Sequence, residues 1–128
     1  MNRILFWATV AWTVLAASGV RAEQVVINEV MYNPRGDGPE WIELSNITAT
    51  PFDIAGWKLR GDVELDFPLF DGNRADEAFL GHWQKIILTN IDPGSFRQQY
   101  GTPASVKVFG PWEGSLLSKR SWINIGQD

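Results

Sequence analysis

Apolar and polar residues alternate in short stretches in the first half of this chain, and that pattern predicts β-strands. The clearest stretches are Val25–Met31 and residues 40–46, which are rich in branched and aromatic residues at a period of two. Residues 52–60 continue the pattern, and Gly56 inside that stretch indicates a bulge or a close backbone approach. Turn residues separate the stretches, so we expect three consecutive strands here.

Alternation also predicts which side chains share a face of each strand. On the first strand, Val26, Asn28 and Val30 would point the same way. On the second strand, Ile42 and Leu44 would point together.

The second half of the chain carries further short elements and little helix. A helix is predicted over residues 92–100, with Ser95 able to cap it. Residues 71–78 and 110–119 have the composition of loops. The remaining predicted strands are residues 63–67, 84–89, 106–109, and 121–125 as the start of a last strand. Several short strands with turns between them indicate an all-β sandwich or barrel.

The first 22 residues have the layout of a secretory signal peptide. A basic start is followed by the apolar run of residues 4–17, and a small-residue pattern then ends at Ala22. Cleavage between Ala22 and Glu23 would leave residues 23–128 as one domain in an exported protein, at the cell surface, outside the cell or in the periplasm. The alternative is an uncleaved membrane anchor, for which the apolar run is short.

The charge and cysteine content narrow the classes of partner. Loss of Arg3 and Arg21 with the leader would lower the formal net charge from −4 to −6, which opposes binding to nucleic acid phosphates. The chain has no cysteine, so its fold depends on its core. Trp41, Trp57, Trp83, Trp112 and Trp122 follow the leader, and such large side chains supply core area from few residues.

Three motifs stand at a spacing that is more specific together than any one is alone. They are Ile27-Asn28-Glu29-Val30, then Glu40-Trp41-Ile42-Glu43-Leu44 with Asn46, then Asp53-Ile54-Ala55-Gly56-Trp57-Lys58-Leu59. In these motifs the chain resembles the lamin tail domain family, whose fold is an immunoglobulin-like β-sandwich.

The resemblance implies structural roles for the motif residues and no catalytic residue. It implies that Trp57 packs between two sheets and that Asn46 and Gly56 shape turns. The signature positions carried over in this way are Asn28, Glu29, Trp41, Glu43, Leu44, Asn46, Gly56, Trp57 and Leu59.

The resemblance also implies a sandwich without its final strand. The family pattern continues beyond the segment similar to residues 121–128 with a turn and a closing strand, so we expect the sequence to be a fragment of a longer bacterial-type exported protein. The alternative is that a partner supplies the missing strand.

Two Arg-Gly-Asp triplets occur at predicted turns, at Arg35-Gly36-Asp37 and Arg60-Gly61-Asp62. A guanidinium and a carboxylate at a loop tip can bridge a receptor of the integrin type. Gly-Asp is ordinary turn chemistry, and that is our interpretation of both triplets.

Metal chemistry has weak support in this sequence. Asp71, Asn73, Asp76 and Glu77 could hold calcium, but the run lacks the glycine and the distant glutamate of the helix-loop-helix site, so solvated carboxylates are the simpler interpretation. His82 is the only histidine, which with no cysteine opposes a transition-metal cluster. We interpret His82 as a polar surface residue.

Two further patterns have both a chemical and a structural interpretation. Glu29 and Glu43 could form a carboxylate pair of the glycosidase type, although alternating strands commonly carry exposed acids. Asn46-Ile47-Thr48 is a glycosylation sequon, and the same Asn46 matches the turn position implied by the resemblance.

The sequence therefore predicts a non-catalytic, cofactor-free binding or structural module that mediates attachment to a protein or a surface. One alternative is an accessory domain of an extracellular nuclease or hydrolase. Another is a carbohydrate-binding module, which would need Trp83, Trp112 or Trp122 on one open face.

Overall fold

The alternating stretches form strands, and the residues that follow Asp92 form a short helix. The computed structural model describes residues 24–69, 79–116 and 122–127. Within these ranges the elements are β1 (Val25–Met31), β2 (Trp41–Asn46), β3 (Phe52–Asp53), β4 (Lys58–Gly61), β5 (Val63–Asp66), β6 (Phe79–Leu80), β7 (Lys85–Thr89), α1 (Pro93–Tyr100), β8 (Lys107–Phe109), β9 (Glu113–Gly114) and β10 (Ile123–Gly126).

The strands form two four-stranded sheets that share one core. The first sheet has the order β1-β2-β7-β8, and the second has the order β10-β4-β5-β9. Neighbouring strands are antiparallel except β7 and β8, which are parallel and are connected through α1. The strands β3 and β6 form a separate two-stranded ribbon. This arrangement confirms the prediction of an all-β, immunoglobulin-like sandwich.

The core lies between the two sheets and is built from the side chains that alternation points inward. Ile42 and Leu44 of β2 are fully buried together, as predicted from the sequence. Leu88 of β7 lies beside them in the first sheet, and Leu59 of β4 and Val63 of β5 are buried in the second sheet. Burying a side chain of this size stabilises the fold by about 1.5–3 kcal/mol.

A bulge in β1 changes which of its side chains share a face. Ile27 pairs with Leu44, but Glu29 pairs with Glu43, so Asn28 is the extra residue. After the bulge, Val30 pairs with Ile42 and lies on the same face as Ile27. The prediction that Val30 shares a face with Val26 is therefore wrong, because strict alternation does not include the extra residue.

The predicted strand over residues 52–60 is interrupted by a turn at Gly56. Gly56 has φ of +72°, which L-residues adopt at a cost, and a Cβ there would lie 2.8 Å from the Leu69 Cδ2. The Asp53 side chain accepts a hydrogen bond from the Ala55 backbone N–H at 2.8 Å and begins the turn. Gly56 therefore separates β3 from β4.

The helix α1 begins one turn earlier than a cap at Ser95 would allow. Asp92 is the N-cap, and its Oδ2 accepts a hydrogen bond from the Ser95 backbone N–H at 2.9 Å. Gly101 ends the helix in the left-handed conformation. The prediction of the helix is confirmed, and the prediction of Ser95 as its cap is wrong.

Two strands of two residues each, β6 and β9, were not predicted from the sequence. β9 lies in the stretch predicted to be a loop, and it pairs with β5. The predicted last strand is present as β10 and pairs with β4. Among the described residues, no helix is long and apolar enough to span a bilayer.

Candidate binding surfaces

A groove of about 1120 Å³ opens between the outer edges of β1 and β10. These strands belong to different sheets, so the groove is a seam where the sandwich is open. Its apolar lining includes Ile27, Phe52, Trp57, Ile123 and Ile125, all partly buried and packed against the core. We call this groove the seam.

Trp57 lines the seam and contacts the core from its edge. Its ring lies against Phe52 in an edge-to-face arrangement, with centroids 5.2 Å apart. The indole N–H is shielded from solvent and has no hydrogen-bond acceptor in the described part of the chain. Trp57 is thus partly buried at an open side of the sandwich and packs against the core from there. The resemblance implies that it packs between the two sheets.

An exposed aromatic residue lies at the turn before β7. Trp83 is 60% exposed and has φ of +55°, a left-handed conformation that costs a non-glycine residue about 1–2 kcal/mol. The His82 ring lies edge-on to the indole at 5.4 Å, and its Nδ1 lies 2.7 Å from the Thr48 carbonyl oxygen. His82 is exposed, which confirms its interpretation as a polar surface residue. We call His82 and Trp83 the aromatic tip.

The other two late tryptophans differ from each other in exposure. Trp112 is 5% exposed and belongs to the core, so it does not meet the condition of lying on an open face that a carbohydrate-binding module would set. Trp122 is 63% exposed and lies just before β10. An aromatic ligand-binding face would therefore have Trp83 and Trp122 available, and not Trp112.

Asn46 is fully buried at the end of β2 and organises the turn that follows. Its Nδ2 donates to the carbonyl oxygens of Thr50 at 2.8 Å and of Leu80 and Gly81 at 3.1 Å. Its Oδ1 accepts from the backbone N–H and the hydroxyl of Thr48. The sequon asparagine is therefore engaged inside the fold, where a glycan would have no room.

The two candidate glycosidase carboxylates lie on adjacent strands. Glu29 and Glu43 are directly paired across β1 and β2. The Glu43 Oε1 accepts a hydrogen bond from the Asn28 Nδ2 at 2.7 Å and forms an ion pair with Lys85 at 2.9 Å. The bulge positions Asn28 for this contact, so Glu43 holds neighbouring strands together across the outer face of the sheet.

The two Arg-Gly-Asp triplets have different environments. The first lies in an exposed turn, where Gly36 has φ of +63°. In the second, the Arg60 guanidinium pairs with Asp66, and the Asp62 Oδ2 accepts from the Trp122 backbone N–H at 3.2 Å. A Cβ at Gly61 would lie 2.2 Å from the Trp122 carbonyl oxygen, so the second triplet is built into the packing of β10 on β4.

A buried carboxylate on the side of the sandwich away from the seam was not singled out from the sequence. Glu40, just before β2, is 9% exposed. Its Oε1 accepts from the Ser115 hydroxyl and its Oε2 from the Leu116 backbone N–H, both at 3.0 Å. Its own N–H donates to the Asn90 Oδ1 at 3.0 Å. The glutamate that begins the Glu40-Trp41 motif could have indicated a polar contact. The Ser115 hydroxyl that donates to its side chain lies 75 residues away, so sequence spacing could not identify that partner.

The remaining signature residues belong to the scaffold. Two sites considered in the sequence analysis lie outside the described residues. Leu44 and Leu59 are fully buried, and Trp41 is partly exposed. The four loop residues considered as calcium ligands and interpreted as solvated carboxylates (Asp71, Asn73, Asp76 and Glu77) lie outside the described residues, as does the predicted cleavage site at Ala22 and Glu23. Within the described ranges there is no cluster of three or more acids or histidines arranged to hold a metal ion.

Comparison with known proteins identifies the family of this sandwich. The Lamin Tail Domain model matches residues 20–107 of the 128-residue chain and ends at the start of β8. No curated protein and no solved structure matches the chain. The matched segment covers more than half of the chain and includes all three signature motifs, so the chain belongs to the lamin tail domain family.

Proposed function

We propose that this chain is a non-catalytic attachment module of an exported protein, and that the aromatic tip contacts the partner. The observation that carries the proposal is Trp83, a large aromatic side chain that is both highly exposed and held in a left-handed backbone conformation. Backbone strain of this kind persists where the surrounding structure holds it, and it concentrates at functional positions.

The surroundings of the tip support a recognition role. The contact between His82 and Thr48 fixes the tip against the turn that Asn46 organises, so the aromatic rings project from a rigid base. The Gln84 Oε1 accepts from the Gly81 backbone N–H at 2.8 Å and closes the turn on its other side. Rigid aromatic anchors bind at a small cost in conformational entropy.

The polar groups of the scaffold support a module without chemistry of its own. The side chains of Glu40, Glu43 and Asn46 are engaged in hydrogen bonds or ion pairs that join strands and turns. A catalytic acid or base needs access to a substrate proton, which these bonds limit. The lamin tail domain fold is compatible with such a binding or structural role.

Binding of the purified chain to cell-envelope fractions of the host, measured by sedimentation, tests the proposal. We expect Trp83→Ala to reduce retention about tenfold, as for an aromatic anchor at a binding surface. Gln99→Ala on the exposed side of α1 is the matched control and should bind like the parent. If the parent and Trp83→Ala are retained equally, and circular dichroism shows that both are folded, the aromatic tip is not part of the attachment site.

The carbohydrate-binding alternative is favoured by one observation, the exposure of both Trp83 and Trp122. A glycan array with the same variants separates the two functions. Binding to a defined glycan that is lost in Trp83→Ala would establish carbohydrate as the partner class. Retention on the envelope after protease treatment would support the same conclusion, whereas its loss would indicate a protein partner.

The export that we propose rests on the leader pattern in residues 1–22 and has its own test. Amino-terminal sequencing of the protein from the envelope or the medium should begin at Glu23. Recovery of the intact Met1 form from the cytoplasm alone would contradict export.

A further inference from the structure

The hydrogen bond between His82 and Thr48 determines which imidazole nitrogen of His82 carries the proton. The Nδ1 lies 2.7 Å from the Thr48 backbone carbonyl oxygen, and a carbonyl oxygen only accepts. Nδ1 must therefore donate, so in the neutral ring the proton is on Nδ1 and Nε2 carries a lone pair. His82 is exposed, and its Nε2 makes no hydrogen bond within the described part of the chain. The ring thus offers a hydrogen-bond acceptor to solvent.

This acceptor lies beside an apolar surface whose orientation is fixed. The Trp83 indole is 60% exposed, and its ring centroid is 5.4 Å from that of His82. The contact of His82 with Thr48 and the contact of Gln84 with Gly81 hold the turn from its two sides. A ligand that lies on the indole therefore has an acceptor within reach of its edge.

The groups that surround the tip are neutral. Thr48, Gly81 and Gln84, which contact the tip or close its turn, carry no charge. The charged residue nearest along the chain is Lys85, and its Nζ forms an ion pair with the Glu43 carboxylate at 2.9 Å. An anionic or cationic ligand would gain no unengaged opposite charge from these residues. The tip therefore suits a neutral ligand.

We infer that the aromatic tip binds a neutral saccharide, and that His82 determines the specificity by accepting a hydrogen bond from a sugar hydroxyl. The face of an aromatic ring carries partial negative charge, which attracts the C–H face of a pyranose ring. The hydroxyls at the rim of the same sugar can donate, and one of them meets Nε2. This inference rests on the proposed attachment through the tip, and it names the chemical class of the partner.

The position of the proton on His82 can be measured without a ligand. Long-range proton–nitrogen NMR spectra distinguish the two neutral tautomers, and His82 is the only histidine, so its signals need no further assignment. At about pH 9, where a histidine is neutral, we expect the proton on Nδ1. A proton on Nε2 would overturn the inference, because the ring would then present a donor to the ligand.

His82→Asn separates the acceptor from the contact that positions the tip. The asparagine amide N–H can replace Nδ1 as the donor to the Thr48 carbonyl, but this shorter side chain has no atom at the position of Nε2. We expect His82→Asn to fold like the parent and to bind neutral glycans on a defined array about threefold to tenfold more weakly, as for the loss of one hydrogen bond. Trp83→Ala should abolish that binding. Trp122→Ala, which removes an exposed indole beside Asp62, is the matched control and should leave it unchanged.

The outcomes distinguish this inference from the proposed attachment. Equal glycan binding by the parent and His82→Asn would overturn the role of His82, and binding confined to acidic glycans would overturn the neutral class. If no glycan binds while retention on the envelope still requires Trp83, the saccharide is wrong and the attachment stands, with a protein as its partner. If retention does not depend on Trp83, the attachment through the tip fails and this inference fails with it.

Discussion

One side of this sandwich is closed and the other is open, and the comparison separates the more stabilising side from the more accessible one. On one side, Glu40 and Trp112 bring the start of β2 and the region around β9 together, and we call this side the closed corner. On the other side is the seam, where β1 and β10 border a groove and Trp57 is partly buried. Each side has one tryptophan whose N–H has no acceptor in the described part of the chain.

The difference lies in what surrounds each indole. At the closed corner, the Trp112 backbone N–H donates to the Thr89 carbonyl oxygen at 3.1 Å, and the Thr89 hydroxyl donates to the Glu40 carbonyl oxygen at 2.9 Å. Buried polar groups thus connect both sheets around an enclosed ring. The seam is lined by apolar side chains together with Gln24, Thr48, Asn124 and Gln127, and it is open to solvent. The closed corner should therefore contribute more stability than the seam.

Trp112→Ala should have the largest effect, because it empties an enclosed site. We expect a loss of about 3–5 kcal/mol in the free energy of unfolding, the range for removing a buried aromatic side chain. Urea denaturation followed by circular dichroism measures this loss. A loss below that of Trp57→Ala would show that the closed corner is not the more stabilising side.

Glu40→Ala should have the next largest effect, because it leaves buried donors without acceptors. The Leu116 backbone N–H and the Ser115 hydroxyl would both lose their partner, and a buried unsatisfied donor costs about 1–3 kcal/mol. Glu64→Ala on β5 removes an exposed acid of the same kind and should change the free energy of unfolding by less than about 0.5 kcal/mol. Equal denaturation midpoints for the two variants would contradict a role for Glu40 at the corner.

The strands and the core could be predicted well from the sequence because both depend on local patterns. β1 has the predicted bounds, and Ile42 and Leu44 are buried as alternation requires. The strand predictions were wrong where a single residue breaks the two-residue alternation. The extra Asn28 in β1 places Val30 on the face of Ile27 and not on that of Val26, and Gly56 divides a single predicted strand into two.

The candidate surfaces were less predictable because they depend on contacts between distant parts of the chain. Trp57 and Trp112 look alike in the sequence, yet one lines a groove and the other lies in the core. The seam is formed by β1 and β10, which are nearly a full chain length apart. No local sequence pattern indicates that these two strands lie close in space. The same holds for the contact between Glu40 and Ser115.

Trp57→Ala should have the smallest effect of the three and sharpens the comparison most. Its ring is only partly removed from water, and the space left by its loss opens into the groove, so water fills it and no enclosed cavity forms. We expect a loss of about 1–2 kcal/mol, part of the value for full burial of an aromatic side chain. Trp122→Ala, at an exposed indole on the same side, should leave the free energy of unfolding within about 0.5 kcal/mol of the parent. A loss as large as that of Trp112→Ala would mean that the seam is closed in solution, as it would be if a second strand covered Trp57.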